Sequence, residues 1–522
     1  MGTYLNPTNK LFNNMINSEI YVDHSLMIEY MNKVINTDDN KICVSRPRRF
    51  GKSTDANMLV AYYSKGCDSS NIFNSLKISS TPLYQKHINK HNVIDMNIQD
   101  ILSRTHNIKK MIRLLTRLVF RDIRKKYPDV DYFDTDDLIQ ILEDIYAETN
   151  ESFIFIIDEW DCIFREYKED LQSQKQYLEF LRNLLKDKPY VELAYMTGIL
   201  PIKKYGTHST LNMFKEISML NPKPLEEFMG FTENEVKELC NKYHMNYDNM
   251  KEWYDGYQIK EDLFIYNHRS VVYALTDREY KNYWTSTETY EALQIYIDMN
   301  FDGLKSSIVQ LLAGEKVYIQ TSSFQNDMTT FKSKDDVLTL LVHLGYLGYD
   351  RKNETVYIPN KEVIDSFVNS IKYSNWNETT KALLNSQKLL EATVQQNEEL
   401  VAKYIKESHY STDLLHYNSE TALEYTLKLA YYKAMDEYTV ENQVVSGKGI
   451  ADMVFIPRDK VNKPAMIVEL KSSDNCESAL QQIKEKEYYH KFKDYQDNLL
   501  LVAITYDKDT KEHRCKIEKY VR

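Results

Sequence analysis

Short, almost purely apolar runs separated by longer amphipathic stretches mark the first 200 or so residues of the chain. Lys41 to Ser45, Asn92 to Asn97, Phe153 to Ile157 and Val191 to Met196 have the length of strands, and their apolar positions cluster without clean alternation. Strands apolar on both faces are covered on both faces, so the pattern predicts a parallel sheet between layers of helix. After Asn221-Pro222-Lys223-Pro224 the sequence turns helix-rich and tyrosine-rich until about Lys372. That stretch closes with a short strand pair, Tyr346 to Tyr349 and Thr355 to Ile358, ended by Pro359-Asn360. A polar helical connector is expected from about Glu378 to Ser408. From about Thr412 the order reads helix, strand, strand, helix, strand.

Length sharpens this picture, since 522 residues exceed what a single core usually organises, and several domains are expected. A formal charge of -11 argues against a surface coated with non-specific phosphate contacts, though it leaves room for a local basic groove. No run of about 18 apolar residues exists, so no membrane span is expected. The first residues lack the basic-then-apolar pattern of a secretory signal, and a cytoplasmic protein is expected. Six cysteines without a CxxC pair suggest neither a disulfide framework nor a zinc site.

Chemistry enters at Ser45-Arg46-Pro47-Arg48-Arg49-Phe50-Gly51-Lys52-Ser53-Thr54, which follows a strand and precedes a helix. In that context backbone N–H groups cradle phosphates, with Arg48, Arg49, Phe50, Gly51 and Thr54 forming the loop and helix start. Lys52 reaches the β and γ phosphates and the Ser53 hydroxyl holds magnesium. Arg46 stands where the general motif has its first glycine. The second element is Phe153-Ile154-Phe155-Ile156-Ile157-Asp158-Glu159, an apolar strand ending in two carboxylates. Asp158 completes the magnesium site, and Glu159 orients or deprotonates the attacking water. A further apolar strand runs into Thr197-Gly198, where ATPases of this kind place a polar sensor of the γ phosphate.

A second constellation lies near the C-terminus. Gly449 to Phe455 and Ala465 to Lys471 form two strands around a polar turn, a hairpin pattern. Side chains alternate along a strand, so Glu469 and Lys471 share one face. With Asp452 on the neighbouring strand, two carboxylates and an ammonium converge, the arrangement of a magnesium- or manganese-dependent phosphodiesterase. Asp452 and Glu469 are the expected metal ligands, and Lys471 positions water or neutralises developing charge. Glu420 or Glu424 is a candidate further ligand.

Taken with Trp253-Tyr254-Asp255-Gly256-Tyr257, Tyr266-Asn267, Gly345-Tyr346-Leu347 and Ile358-Pro359-Asn360, these motifs resemble the AAA-ATPase-like family that carries a PD-(D/E)XK nuclease domain at the C-terminus. Arg46 agrees with that family's version of the phosphate loop. His268 departs from its usual proline, and Ile450 from its usual arginine beside the nuclease aspartate. The resemblance implies an α/β chain with a P-loop NTPase parallel-sheet domain at 1–222 and a mostly helical middle domain at 223–375. A connector at 376–411 and a restriction-endonuclease-like PD-(D/E)XK domain at 412–522 follow. It also implies that Gln482 and Tyr488 touch the second site or the nucleic acid, with amphipathic packing as the alternative; by their charge Lys484, Lys486, Lys491 and Lys493 are candidate phosphate contacts, diluted by Glu485 and Glu487. The expected activity is ATP-dependent control of a nuclease acting on DNA or RNA. The rival is a nucleotide-driven switch or scaffold whose nuclease fold only binds. The resemblance also allows a homo-oligomer, because ATPases of this class often take an arginine from a neighbouring subunit.

Overall fold

The computed structural model describes residues 2–202, 204–205, 208–284, 290–299, 301, 303–326, 328–372, 376–411, 427–446, 449–459, 463–471, 475–485, 492, 495, 498–507, 510 and 512–520. They fall into two compact units, one of residues 1–284 and 318–363, the other of residues 285–317 and 364–522.

In the first unit, strands β1 (Lys41–Ser45), β2 (Asn92–Asn97), β3 (Phe153–Asp158), β4 (Val191–Gly198) and β5 (Lys215–Ile217) form one sheet in the order β2-β3-β4-β1-β5. Every pairing is parallel. The interior strand β3 is buried at all six positions, and the first five read as an unbroken apolar run before Asp158. Helix α1 (Lys52–Tyr63) leaves the end of β1 through Gly51, whose φ of 77° suits a residue without Cβ. Helix α2 (Ile98–Thr105) begins directly after β2. Helix α3 (Ile108–Lys126) is capped by the Asn107 side chain and buries Ile108, Met111, Leu115, Val119 and Ile123 at helical spacing.

The stretch after Asn221 is helix-rich, but it also holds a small antiparallel sheet that the apolar pattern does not announce. Its strands, β6 (Phe231–Thr232), β7 (Tyr257–Lys260) and β8 (Leu263–Tyr266), run in the order β6-β8-β7. Strands of two to four residues carry too few positions for a period to show. Helix α4 (Glu233–Tyr243) starts with a Thr232/Glu235 capping box, and helix α5 (His268–Asp277) is capped by Asn267. The expected later hairpin is present as β9 (Gly348–Asp350) against β10 (Thr355–Tyr357).

The second unit contains a five-stranded sheet of β11 (Tyr438–Ser446), β12 (Gly449–Pro457), β13 (Ala465–Lys471), β14 (Leu499–Tyr506) and β15 (His513–Lys519) in sequential order. β13 and β14 are parallel and are linked through helix α6 (Cys476–Glu485); the other pairs are antiparallel. The reading from apolar runs omits β11 and β15. Both are edge strands, where polar side chains such as Glu441, Lys516 and Glu518 interrupt the pattern. Met466, Val468 and Leu470 face one core with Leu389, Val401 and Ile405. Ala465 and Ile467 face the other with Ala479, Leu480 and Ile483 of α6. Alternation therefore sends Glu469 to the α6 side.

Candidate functional sites

The strands of a parallel sheet end together, and the crevice beyond their carboxyl ends is where such folds bind ligands. Here that edge carries a cleft of about 690 Å³ lined by the phosphate-loop residues Arg48, Arg49, Gly51, Lys52, Ser53 and Thr54, with Asn97, Glu159 and Arg165 opposite. Ser53 Oγ donates to Asp158 Oδ2 at 2.8 Å, and Asn97 Nδ2 donates to the same oxygen at 3.3 Å. Two expected parts of a nucleotide site thus meet across 105 residues of sequence, with Asn97 joining them. Burial raises the Asp158 carboxyl above the usual range, with Ser53 opposing.

Lys52 is buried and its Nζ donates to the Pro47 carbonyl at 2.9 Å. Burial pulls its ammonium down to about 8, against the opposing pull of Glu159 and Asp161. Arg46 is also buried; it ion-pairs with Asp55 on α1 and donates to the Phe228 carbonyl at 2.7 Å. The arginine in the first-glycine position therefore ties the loop to the start of its own helix. Arg49 donates to the Tyr283 carbonyl at 2.6 Å and lies over the Trp284 ring. Phe50 packs edge-on to Tyr257 and is fully buried, so its side chain serves the core. Thr197 lies opposite Asp158 in register, with its hydroxyl donating to the Val44 carbonyl at 2.9 Å.

Glu159 sits in the left-handed region at φ 53°. Its carboxylate is ion-paired with Arg165, whose Nε lies 3.2 Å from Asp161 Oδ2. Asp161 is fully buried, and Oδ2 also accepts the N–H groups of Ile199 and Leu200, fastening the chain just beyond β4. Burial disfavours the Arg165 charge, but Asp161 and Glu159 outweigh it and hold the guanidinium above its ordinary range. From helix α5, His268, Arg269, Val272 and Tyr273 complete the cleft. A Cβ at Gly51 would come within 2.5 Å of His268 Nδ1, so glycine is required by space as well as by φ. Of these added residues, Asn97 carried a readable signal, a polar residue closing an apolar strand. Arg165, Arg269, Val272 and Tyr273 carried none, and His268 stood out only as a departure from the family's proline.

The second site lies on β12 and β13. Met453 pairs with Val468, which sets Asp452 across from Glu469. Asp452 Oδ2 accepts the Leu470 N–H at 2.7 Å. Glu469 is 3% exposed, and Gln482 of α6 bridges it to Lys471, donating to Glu469 and accepting from Lys471. The hairpin thus gathers Asp452, Glu469 and Lys471 as the alternation requires. Lys484 is paired with Glu518. Glu420, Glu424, Lys486, Tyr488, Lys491, Lys493 and the side chain of Ile450 lie outside the described residues. Among the described residues no three His, Cys, Asp or Glu side chains gather as a metal-binding group. Two facing carboxylates are nevertheless a donor set suited to magnesium, which takes one or two protein carboxylates and fills its sphere with water and phosphate. At the first site, the adjoining Ser53 and Asp158 oxygens suit the same hard cation.

Residues 9–207 match the family model described as a predicted AAA-ATPase, and residues 423–515 match one described as the PD-(D/E)XK nuclease superfamily. Among solved structures, the Walker-type ATPase PABY2304 of Pyrococcus abyssi is 12% identical and covers 66% of this chain and 94% of its own, with a TM-score of 0.33. The ORC2 protein of Aeropyrum pernix, in ADPNP-ADP complexes, is 12% identical and covers 70% of this chain and 98% of its own, with a TM-score of 0.24. No curated protein matches the chain. Among the described residues no helix is long and apolar enough to cross a membrane.

Proposed function

Because the chain joins an AAA-ATPase-like domain to a PD-(D/E)XK nuclease superfamily domain, we propose that it binds and hydrolyses ATP and thereby controls metal-dependent cleavage of DNA or RNA. The observation that carries the ATPase half is the meeting of Ser53 with Asp158 at 2.8 Å beside Lys52. Magnesium held by Ser53 and Asp158, and by Asp452 and Glu469, would supply phosphate charge neutralisation at both sites and an activated water at the second.

In the cleft, Lys52 exchanges its bond to the Pro47 carbonyl for the β and γ phosphates, which restore the ammonium that burial disfavours. The N–H groups from Gly51 to Thr54, at the start of α1, cradle the phosphate oxygens. Glu159 accepts the proton of the attacking water. Its pair with Arg165 restrains it until a γ phosphate draws the guanidinium away. One subunit then supplies both the base and an arginine. In the second unit, Lys471 neutralises charge on the phosphodiester, while Gln482 fixes the mutual placement of Glu469 and Lys471.

The test is cleavage of mixed DNA and RNA substrates with magnesium or manganese, with and without ATP, by the full chain and by Lys52→Ala and Glu469→Ala. Cutting that needs Glu469 and responds to Lys52 is expected. ATP turnover that needs Lys52, with no cutting under any condition, would replace this reading by a nucleotide-driven switch whose nuclease fold only binds.

A further inference from the structure

Helix α3 carries eight Lys or Arg among its 19 residues and a single acid, Asp122, in a chain whose net charge is -11. The placement of these cations is one-sided. Met111, Leu115, Val119 and Ile123 are buried, whereas Lys110, Arg113, Arg117, Arg121 and Arg124 are exposed on the opposite face. Steps of three or four residues keep them on one ridge, and Arg113 to Arg124 spans about 17 Å at 1.5 Å per residue. Among the described residues, no ion pair engages Arg113, Arg117 or Arg124. A helix that needed only solubility would alternate its charge signs; this face concentrates one sign.

Beside the ridge lies a groove of about 560 Å³ lined by Arg117, Phe120, Arg121, Arg124, Lys125, Thr135 and Asp136. Its far wall is the loop after α3, where Phe133 is 88% exposed. That exposure comes from a pinned backbone. The Phe133 N–H is held by Asp144 at 2.9 Å, the Asp131 N–H by Glu148 at 3.0 Å, and Tyr132 packs edge-on to Phe120 with its hydroxyl on the Tyr127 carbonyl at 2.8 Å. The loop thus holds a bare aromatic ring next in sequence to Tyr132, which packs on Phe120 of the groove wall. Asp129, Asp131, Asp134, Asp136 and Asp137 on the same loop repel phosphates, which keeps the backbone of a polyanion on the helix side of the groove.

We propose that this groove binds a single-stranded nucleic acid, with the arginine ridge of α3 following its phosphates and Phe133 stacking on a base. Guanidinium groups suit phosphate oxygens, and an aromatic platform accepts a base of any sequence once it is unpaired. A duplex gives phosphates to the ridge but no free base to Phe133. An anionic membrane is disfavoured because the exposed face of α3 has no apolar stripe to insert. The proposal builds on the nuclease reading only in its choice of nucleic acid as the polyanion.

The experiment is fluorescence anisotropy of labelled single-stranded DNA, single-stranded RNA and duplex DNA of about 20 nucleotides, a length that spans one or more sites of this kind. It is run with the full chain over a series of salt concentrations, in EDTA so that no cutting intervenes. Removing three phosphate contacts in Arg113→Ala/Arg117→Ala/Arg121→Ala should flatten the slope of log K against log salt by about 2 for a single strand. Phe133→Ala should weaken single-strand binding about tenfold with the slope unchanged. Both variants should keep the ATP turnover of the parent, whatever that is, since none of these residues lines the cleft. The proposal is overturned if the full chain does not bind single strands, if the triple variant keeps the parental slope, or if Phe133→Ala binds single strands like the parent. Binding of anionic vesicles that falls in the triple variant, with oligonucleotide binding unchanged, would also overturn it. Because the readout is binding without turnover, a chain that neither hydrolyses ATP nor cuts can still pass or fail.

Discussion

Arg165 is paired with Glu159, the carboxylate that follows Asp158 at the floor of the cleft, and is anchored from behind by the buried Asp161. The guanidinium is thus held at the cleft by two acids, one on the cleft wall and one fully buried. Glu159→Gln should reduce ATP turnover by about 100-fold or more while leaving nucleotide affinity nearly unchanged, the pattern of a lost general base.

If Arg165 meets the γ phosphate, only ATP can exploit it. Arg165→Ala should therefore weaken ATP by at least about tenfold and leave ADP within about twofold, consistent with a charge-assisted hydrogen bond. Titrating both nucleotides by calorimetry separates the cases, since an equal loss for ATP and ADP would assign Arg165 to support of the fold.

Lys52 links binding to pH. Its ammonium lies at about 8 in the nucleotide-free chain and rises when phosphates surround it, so ATP binding near pH 8 should take up protons. Calorimetry in two buffers of different ionisation heat should detect the uptake, and Lys52→Ala should lose it. In the absence of nucleotide, the unfolded lysine holds its proton between about pH 8 and 10.5 while the folded one has released it. The unfolded state binds more protons there, so Lys52 makes the empty domain more stable as pH rises through that window, and the contribution is absent below it.

Glu362 behaves oppositely. It is buried, accepts the Ser270 hydroxyl at 2.9 Å and the N–H groups of Tyr283 and Trp284 at 2.7 and 2.8 Å, and burial raises its carboxyl to about 7. Between about pH 4.5 and 7 the folded state holds the proton and the unfolded state does not, so stability falls as pH rises through that window. Glu362→Gln should remove the fall, worth up to about 3 kcal/mol, in urea unfolding across that range. A fall of the same size in the variant would place its origin elsewhere.

At the second site, Gln482 touches both Glu469 and Lys471. Gln482→Ala should slow cutting by about 10- to 100-fold without abolishing it, as expected for a residue that orients others, whereas Glu469→Ala should abolish it. Cleavage rates over a magnesium series provide the comparison, and the Gln482 variant should need more metal. Wild-type rates in Gln482→Ala would remove the residue from the site.

By itself, the sequence determined the features that depend on local periodicity. Phe153 to Ile157 is a strand because an interior parallel strand is buried on both faces and admits only apolar side chains, while Val93, Ile94 and Met96 of the edge strand β2 are buried around a half-buried Asp95. Gly51-Lys52-Ser53 was legible because a loop that bends into a helix needs glycine at positive φ and polar groups at the helix start. Asp452, Glu469 and Lys471 were legible because a hairpin and a period of two fix which side chains are neighbours. The tertiary structure decided what lies far apart in the chain. The order β2-β3-β4-β1 brings Asn97 and Asp158 to Ser53, and the packing of α5 sets His268 against Gly51. The Arg165 to Glu159 pair and the exposure of Phe133 on the loop after α3 likewise depend on how short connections pack once the sheet has formed. Neither follows from a repeat in the sequence, because the partners are chosen by sheet order and packing rather than by spacing along the chain.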